Sequence, residues 1–263
     1  MSGVFTATRR ALALSDPLEK CRAVEELAAR AAFEFSDRKQ AVEPLMEPGR
    51  PDRPRLVDPV TLPRRRLGSE AGRTALIHAI AHIEFNAINL ALDAAWRFRD
   101  MPEEFTLEWI SVAADEARHF RLLDERLREV GHAYGGFPAH DGLWEMARRT
   151  AGSCVARMAL VPRVLEARGL DVTPGMIERL RAAGDLRTVE ILELILEEEV
   201  RHVAIGSHWF RHCCAQQGLD PLPTFMELLK AHFGRPRGPF NVDARLLAGF
   251  TREEIAALAE EAA

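Results

Sequence analysis

The sequence predicts an all-α fold centred on a four-helix bundle, and three observations carry that prediction. The chain is 47% hydrophobic, 29% charged and only 7% aromatic, with abundant Ala, Leu, Arg and Glu, all of which favour helix. Apolar residues recur at helical spacing, and β-branched alternation is scarce. A third signal is a short pattern that occurs twice, Glu116-Ala117-Arg118-His119 and Glu199-Val200-Arg201-His202. Residues three apart on a helix share a face, so each pattern can aim a carboxylate and an imidazole at one ion.

Residues 1–69 read as a preface to the bundle. Ser15-Asp16-Pro17 opens a helix, and Val24, Leu27, Ala28, Ala31, Ala32 and Phe35 carry it as one amphipathic stretch from Leu18 to Phe35. Pro44, Pro48, Pro51, Pro54, Pro59 and Pro63 then forbid regular helix. Leu45, Met46, Leu56, Val57 and Val60 give this segment apolar surface to bury, so an ordered strap is expected.

The bundle is expected over 70–217. Ser69-Glu70 opens its first helix, running to about Arg99 and carrying Glu84. Met101-Pro102 makes a turn, and Glu103-Glu104 favour the start of a second helix reaching about Val130 with Glu116 and His119. Gly131, Gly135, Gly136 and Pro138 interrupt the chain as a crossover. The third helix is expected from Gly142 to Arg168, with Glu166 and a kink at Pro162. A short helical piece follows from Thr173-Pro174, then a fourth helix from Leu186 to Gln217 with Glu199 and His202. Residues 218–263 form a helical extension: a helix from Leu222 or Pro223 to Phe233, a basic loop Gly234–Pro239, and a last helix capped at Thr251.

Each Glu-x-x-His follows a lone glutamate at nearly the same distance: 116−84 is 32 residues and 199−166 is 33. One Glu from each of two helices and Glu-x-x-His from each of the other two is the ligand pattern of a carboxylate-bridged dimetal site. Glu84, Glu116, His119, Glu166, Glu199 and His202 are therefore the metal-ligand candidates. Trp109, Val112, Ala113, Phe120 and Leu123 surround the first motif with an apolar stripe, as Leu192, Ile195, Leu196 and Val203 do the second. Buried there, the charged groups need a partner. The competing reading makes them surface charges or ion pairs with Arg118 and Arg201. Gly206 is expected to leave room beside the site. Asp115 and Glu198, each just before a motif, are candidates to receive the outer imidazole N–H, Asp115 from His202 and Glu198 from His119.

Other features point away from chemistry. His78 and His82, and His208 and His212, are spaced for metal but read as packing or surface histidines. Tyr134, the only tyrosine, lies in the Gly-rich crossover, which argues against a buried radical tyrosine. Arg64-Arg65-Arg66, with Arg50, Arg53 and Arg55, could contact phosphate, but interleaved acids and prolines favour a solvated strap. A net charge of −5 argues against a general polyanion binder. Cys21, Cys154, Cys213 and Cys214 contain no Cys-x-x-Cys and read as reduced thiols. No uninterrupted apolar run approaches a membrane span, and a cytoplasmic protein without membrane partners is expected. His-Glu-x-x-His is absent, which disfavours a zinc hydrolase.

With these residues in view, the chain resembles the ferritin-like diiron-carboxylate superfamily over about 70–217. Over most of its length it is similar to an uncharacterised bacterial ferritin-like family related in motif to a tRNA-modifying diiron hydroxylase. Gly238 to Phe250, GPFNVDARLLAGF, looks like that family's C-terminal signature. The resemblance implies two Fe ions, or Mn or a mixed Mn/Fe pair, held by the six residues, with Glu116 and Glu199 as bridging and catalytic carboxylates. It implies O₂ as co-substrate and oxidase or hydroxylase chemistry on a small-molecule or tRNA-borne substrate. An electron-donor protein and a homodimer are partners it leaves open. Two readings from other classes stand beside it: a non-catalytic metal binder or ferroxidase, and a metal-free helical scaffold.

Overall fold

A computed structural model describes residues 3–30, 32–42, 47–63 and 67–262. Among them the regular structure is helical, apart from one β-bridge between Leu56 and Ala139. The chain divides into two compact units, Met1–Arg148 and Arg149–Ala263.

In the first unit, two long helices, α3 (Glu70–Arg97) and α4 (Glu103–Glu129), pack side by side. Ser69 caps α3 by accepting from the Gly72 N–H, and Glu103 and Glu104 lie in the first turn of α4, as their sequence signals predict. Two shorter helices, α1 (Val4–Ala13) and α2 (Pro17–Ala28), pack on α3 and α4 respectively. The sequence reading contained no counterpart of α1, and it carried α2 too far, to Phe35. One physical cause explains both. The Glu34 carbonyl accepts from Val4 N at 2.8 Å, and the Asp37 carboxylate accepts from Thr6 N at 2.7 Å. Those N–H groups are the orphaned donors of α1, so the chain leaves the helix after Ala28 to cap its neighbour.

Lys20 fastens these helices together. Its fully buried ammonium donates to the Leu12 carbonyl at 3.1 Å, the Gly49 carbonyl at 2.7 Å and the Asn89 side-chain oxygen on α3. The Pro-rich strap pairs with the crossover after α4 through Val57 N to Ala139 O (2.8 Å) and Ala139 N to Arg55 O (3.1 Å). Arg50 reaches Asp141 at 2.9 Å. Val60, expected to bury, is 88% exposed on a short 3₁₀ turn, Pro59–Thr61. Pro44, Leu45, Met46 and the Arg64-Arg65-Arg66 run lie outside the described residues.

The stretch that closes the first unit and opens the second, residues 142–182, departs most from expectation. The anticipated helix from Gly142 to Arg168 is instead α5 (Gly142–Arg149), a break, α6 (Cys154–Leu160), a π-helical segment (Val161–Glu166) and α7 (Ala167–Ala182). Ser153 restarts the helix by accepting from Ala156 N. Neither Gly169 nor Pro174 ends α7. Leu170, Ile177 and Leu180 keep an inward helical spacing across both, and packing against α8 (Leu186–Gln217) overrides a local cost of roughly 1 kcal/mol for Gly and 3 for Pro. At Pro162, which the sequence marked as a kink, the backbone widens into the π-helical turn that leads to Glu166. Helix α8 spans the expected residues, capped by Asp185 and ended by Gly218 at φ 65°.

The extension contains α9 (Pro221–Phe233), α10 (Val242–Leu247) and α11 (Arg252–Ala262); α10 was not anticipated. Asn241 N donates to Asp171 Oδ1 at 2.9 Å, and Arg245 grips the same carboxylate with two bonds of 2.9 and 2.7 Å. Thr251 and Glu254 form a reciprocal capping box, Glu254 N to Thr251 Oγ1 at 3.1 Å and Thr251 N to Glu254 Oε2 at 2.8 Å. The Gly238–Phe250 stretch is thus a docking strap for the extension.

By length and composition α3 could cross a membrane, although polar residues interrupt its apolar run. Yet 78% of its apolar window is buried inside the protein, which is the pattern of a core helix. The four cysteines are free.

Candidate metal centre

Pairing α3 with α4 buries three of the proposed ligands together. Glu84 on α3 is 4% exposed, and Glu116 and His119 on α4 are fully buried. Their ligand atoms lie within 4.8 Å of one another. His119 Nδ1 is 3.2 Å from Glu84 Oε2 and 3.3 Å from Glu116 Oε2. Trp109, Val112, Ala113, Phe120 and Leu123 are all buried around them, as the stripe predicts.

Such a cluster is electrostatically poised. Burial, then the neighbouring Glu116 charge, holds the Glu84 carboxyl well above the usual carboxylate range, partly offset by its bond to His119. Burial alone would lower the His119 pKa, but bonds to Glu116 and Glu84 and their charges raise it well above the ordinary value. Without a cation, protons neutralise the cluster. Two carboxylates and an imidazole nitrogen are also a donor set that suits Fe and Mn, so this buried cluster can hold a metal ion.

The second unit carries the other motif on α8. His202 is fully buried, with Nδ1 3.4 Å from Glu199 Oε1, and the Glu199 side chain is 12% exposed. Leu192, Ile195 and Val203 are buried beside them, while Leu196 is half-buried. Both motifs thus present the same imidazole nitrogen, Nδ1, to their own glutamate. Glu166 ends the π-helical segment. The space expected at Gly206 is filled: the Pro162 ring lies against it. The carboxylate of Asp115 accepts from Arg118 at 3.0 Å, and Glu198 is half-buried.

His78 and His82 hold the crossover. His78 Nε2 accepts from Gly135 N at 2.9 Å, while His82 bonds the Tyr134 hydroxyl at 2.8 Å. Burial lowers both pKa values to about 4, so both rings are neutral. Tyr134 packs its ring 5.7 Å from Phe85 and 5.0 Å from Phe120, residues that directly follow Glu84 and His119. The glycines around Tyr134 give no sequence signal of this packing. The fold places it behind the cluster's aromatic wall. His208 and His212 pack edge-on against Trp209.

No solved structure matches the chain. It is 46% identical over 258 residues to an uncharacterized protein of Haemophilus influenzae, an alignment covering 93% of this chain and 90% of the relative. Residues 13–256 match a family model described as "Protein of unknown function (DUF455)". A match across nearly the whole chain places this protein in the DUF455 family.

Proposed function

We propose that the chain forms a ferritin-like four-helix bundle over 70–217, in which the Glu84, Glu116 and His119 cluster is completed by Glu166, Glu199 and His202. The proposed activity is that of a dimetal-carboxylate oxidoreductase that activates O₂, an oxidase or hydroxylase acting on a small or tRNA-borne substrate. The observation that carries this reading is the buried convergence of Glu84, Glu116 and His119 Nδ1 within 4.8 Å. The parallel Glu199–His202 pair, in the same orientation, supports it.

Two Fe ions, or Mn or a mixed pair, would supply the electrons that reduce O₂. The protein's part is to hold and screen. Glu84, Glu116, His119, Glu166, Glu199 and His202 would hold the metal pair, with Glu116 and Glu199 as the proposed catalytic carboxylates. Each histidine turns Nδ1 to its own glutamate, which leaves Nε2 as the outward donor. Asp115 and Glu198 are the proposed acceptors for those outward N–H groups, which would require Asp115 to serve His202 as well as Arg118. Buried aromatic and aliphatic side chains keep bulk water from the carboxylates. Free cysteines support a reducing, cytoplasmic setting.

Anaerobic Fe(II) loading followed by an O₂ pulse tests this reading. Rapid O₂ consumption with an optical transient, lost in Glu116→Ala, is expected. A ferroxidase would instead build up ferric iron over repeated Fe(II) additions, and a scaffold would consume no O₂.

A further inference from the structure

The second unit contains a cavity of about 300 Å³ between the π-helical segment, α9 and the basic loop that follows α9. Its volume is at the small end of the range that holds organic ligands. Five arginines line it: Arg163, Arg168, Arg235, Arg237 and Arg245. The one acid among the lining residues, Asp171, is already gripped by both arms of Arg245. The remaining wall is largely apolar, including Phe225, Phe240 and Leu229.

The two arginines at its base are built in. Arg163 is fully buried, and its guanidinium lies 4.4 to 4.6 Å from the ring centroids of Phe210, Phe225 and Phe250. Glu254 takes its Nη2 at 2.6 Å, while Nε and Nη1 are buried with no hydrogen-bond acceptor among the described residues. Arg245 is 4% exposed, and its Nη1 is likewise buried without an acceptor among those residues. Buried donors left unused beside a cavity are uncommon and call for a cause. Arg168 donates to the carbonyls of Arg237 and Pro239, at 2.8 and 3.3 Å, and so shapes the loop that carries the rim. At that rim Arg235 and Arg237 are exposed, and among the described residues neither forms an ion pair.

We propose that this cavity binds a small organic phosphate, with the phosphate held by the rim guanidinia and an aromatic or apolar body seated on the phenylalanine wall. A lone carboxylate needs one guanidinium fork. Two rim guanidinia without an ion pair, beside three whose acids are already engaged, suit a dianion. The aromatic wall excludes inorganic phosphate as the preferred ligand. Binding here does not depend on the metal reading.

The test is calorimetric titration of the full chain with phenyl phosphate, inorganic phosphate and benzyl alcohol. Saturable phenyl phosphate binding is expected, roughly tenfold or more tighter than either fragment. Arg235→Ala with Arg237→Ala should weaken it at least roughly tenfold while leaving the circular dichroism unchanged, since both side chains are exposed. Arg9→Ala with Arg10→Ala, on a basic surface of the first unit, should leave it unchanged. Binding should also survive in Glu116→Ala. No saturable binding at millimolar phenyl phosphate, equal affinity for inorganic phosphate, or equal loss in both arginine variants would overturn the proposal.

Discussion

Gly206 on α8 faces Pro162 so closely that a β-carbon built on the glycine would fall within 3.0 Å of the proline's Cβ and Cγ, a separation real β-carbons do not adopt. The sequence suggested that Gly206 leaves space for a ligand. The structure shows that it leaves space for the ring whose presence in the helix accompanies the π-helical turn before Glu166.

Gly206→Ala is therefore expected to destabilise the protein by about 1–3 kcal/mol, the usual cost of overpacking a closed core. Chemical denaturation measures this directly. Because the strain falls on the turn that carries Glu166, the variant should also bind metal less tightly. A Gly169→Ala control, whose β-carbon meets nothing within 4 Å, should show neither effect.

The metal-free cluster makes a pH prediction. Glu84 titrates well above its ordinary value in the folded chain, so above pH 4.5 the native state keeps a proton that the unfolded state has lost. Stability from this group is full below 4.5 and is lost as pH rises toward the folded pKa. Glu84→Gln, which mimics the protonated form, should flatten that decline and make the apo protein more stable at neutral pH. It should at the same time weaken metal binding. Urea midpoints from pH 4 to 8, with chelator present, would show it.

Lys20 has the opposite sign. Burial lowers its folded pKa from 10.5 to about 7, despite its three oxygen acceptors. Between those values the unfolded chain binds a proton the folded chain lacks, so its contribution makes stability rise with pH through that window. Lys20→Met should remove this rise. At pH 6.5, where both states of the lysine are charged, the same variant reports only the lost bonds and the repacking.

Much of the fold was legible, and the exceptions share a cause. Helix α3 was readable from its Ser69 cap and Glu70, α4 from its acidic first turn and inward stripe, and α8 from its inward stripe and the Gly218 stop. The N-cap of the last helix at Thr251 was readable from its capping-box residues. What failed was decided by partners distant in sequence: Asp37 capping α1, α8 holding α7 straight through Gly169 and Pro174, and Pro162 filling the gap at Gly206. The Glu84, Glu116 and His119 cluster could be anticipated from spacing alone because a helix turn fixes which side chains share a face. Its backing by Tyr134 could not, since only the folded crossover brings residue 134 to Phe85 and Phe120.

The Asp171–Arg245 pair carries the extension, and it is buried on both sides. Asp171→Ala should cost about 3–5 kcal/mol, because it strands a buried guanidinium and removes the acceptor of Asn241 N. Replacing both partners with apolar residues should recover much of that loss, which a double-mutant cycle by thermal denaturation would measure.

The most direct test of the central claim is metal stoichiometry in protein purified from iron- and manganese-supplied cells, beside Glu116→Ala and Glu199→Ala variants. The account predicts about two ions per chain in the parent protein. It predicts their loss in each variant separately, because the proposed centre needs both Glu-x-x-His motifs. Metal at background in a well-folded parent, or undiminished metal in Glu199→Ala, would contradict it.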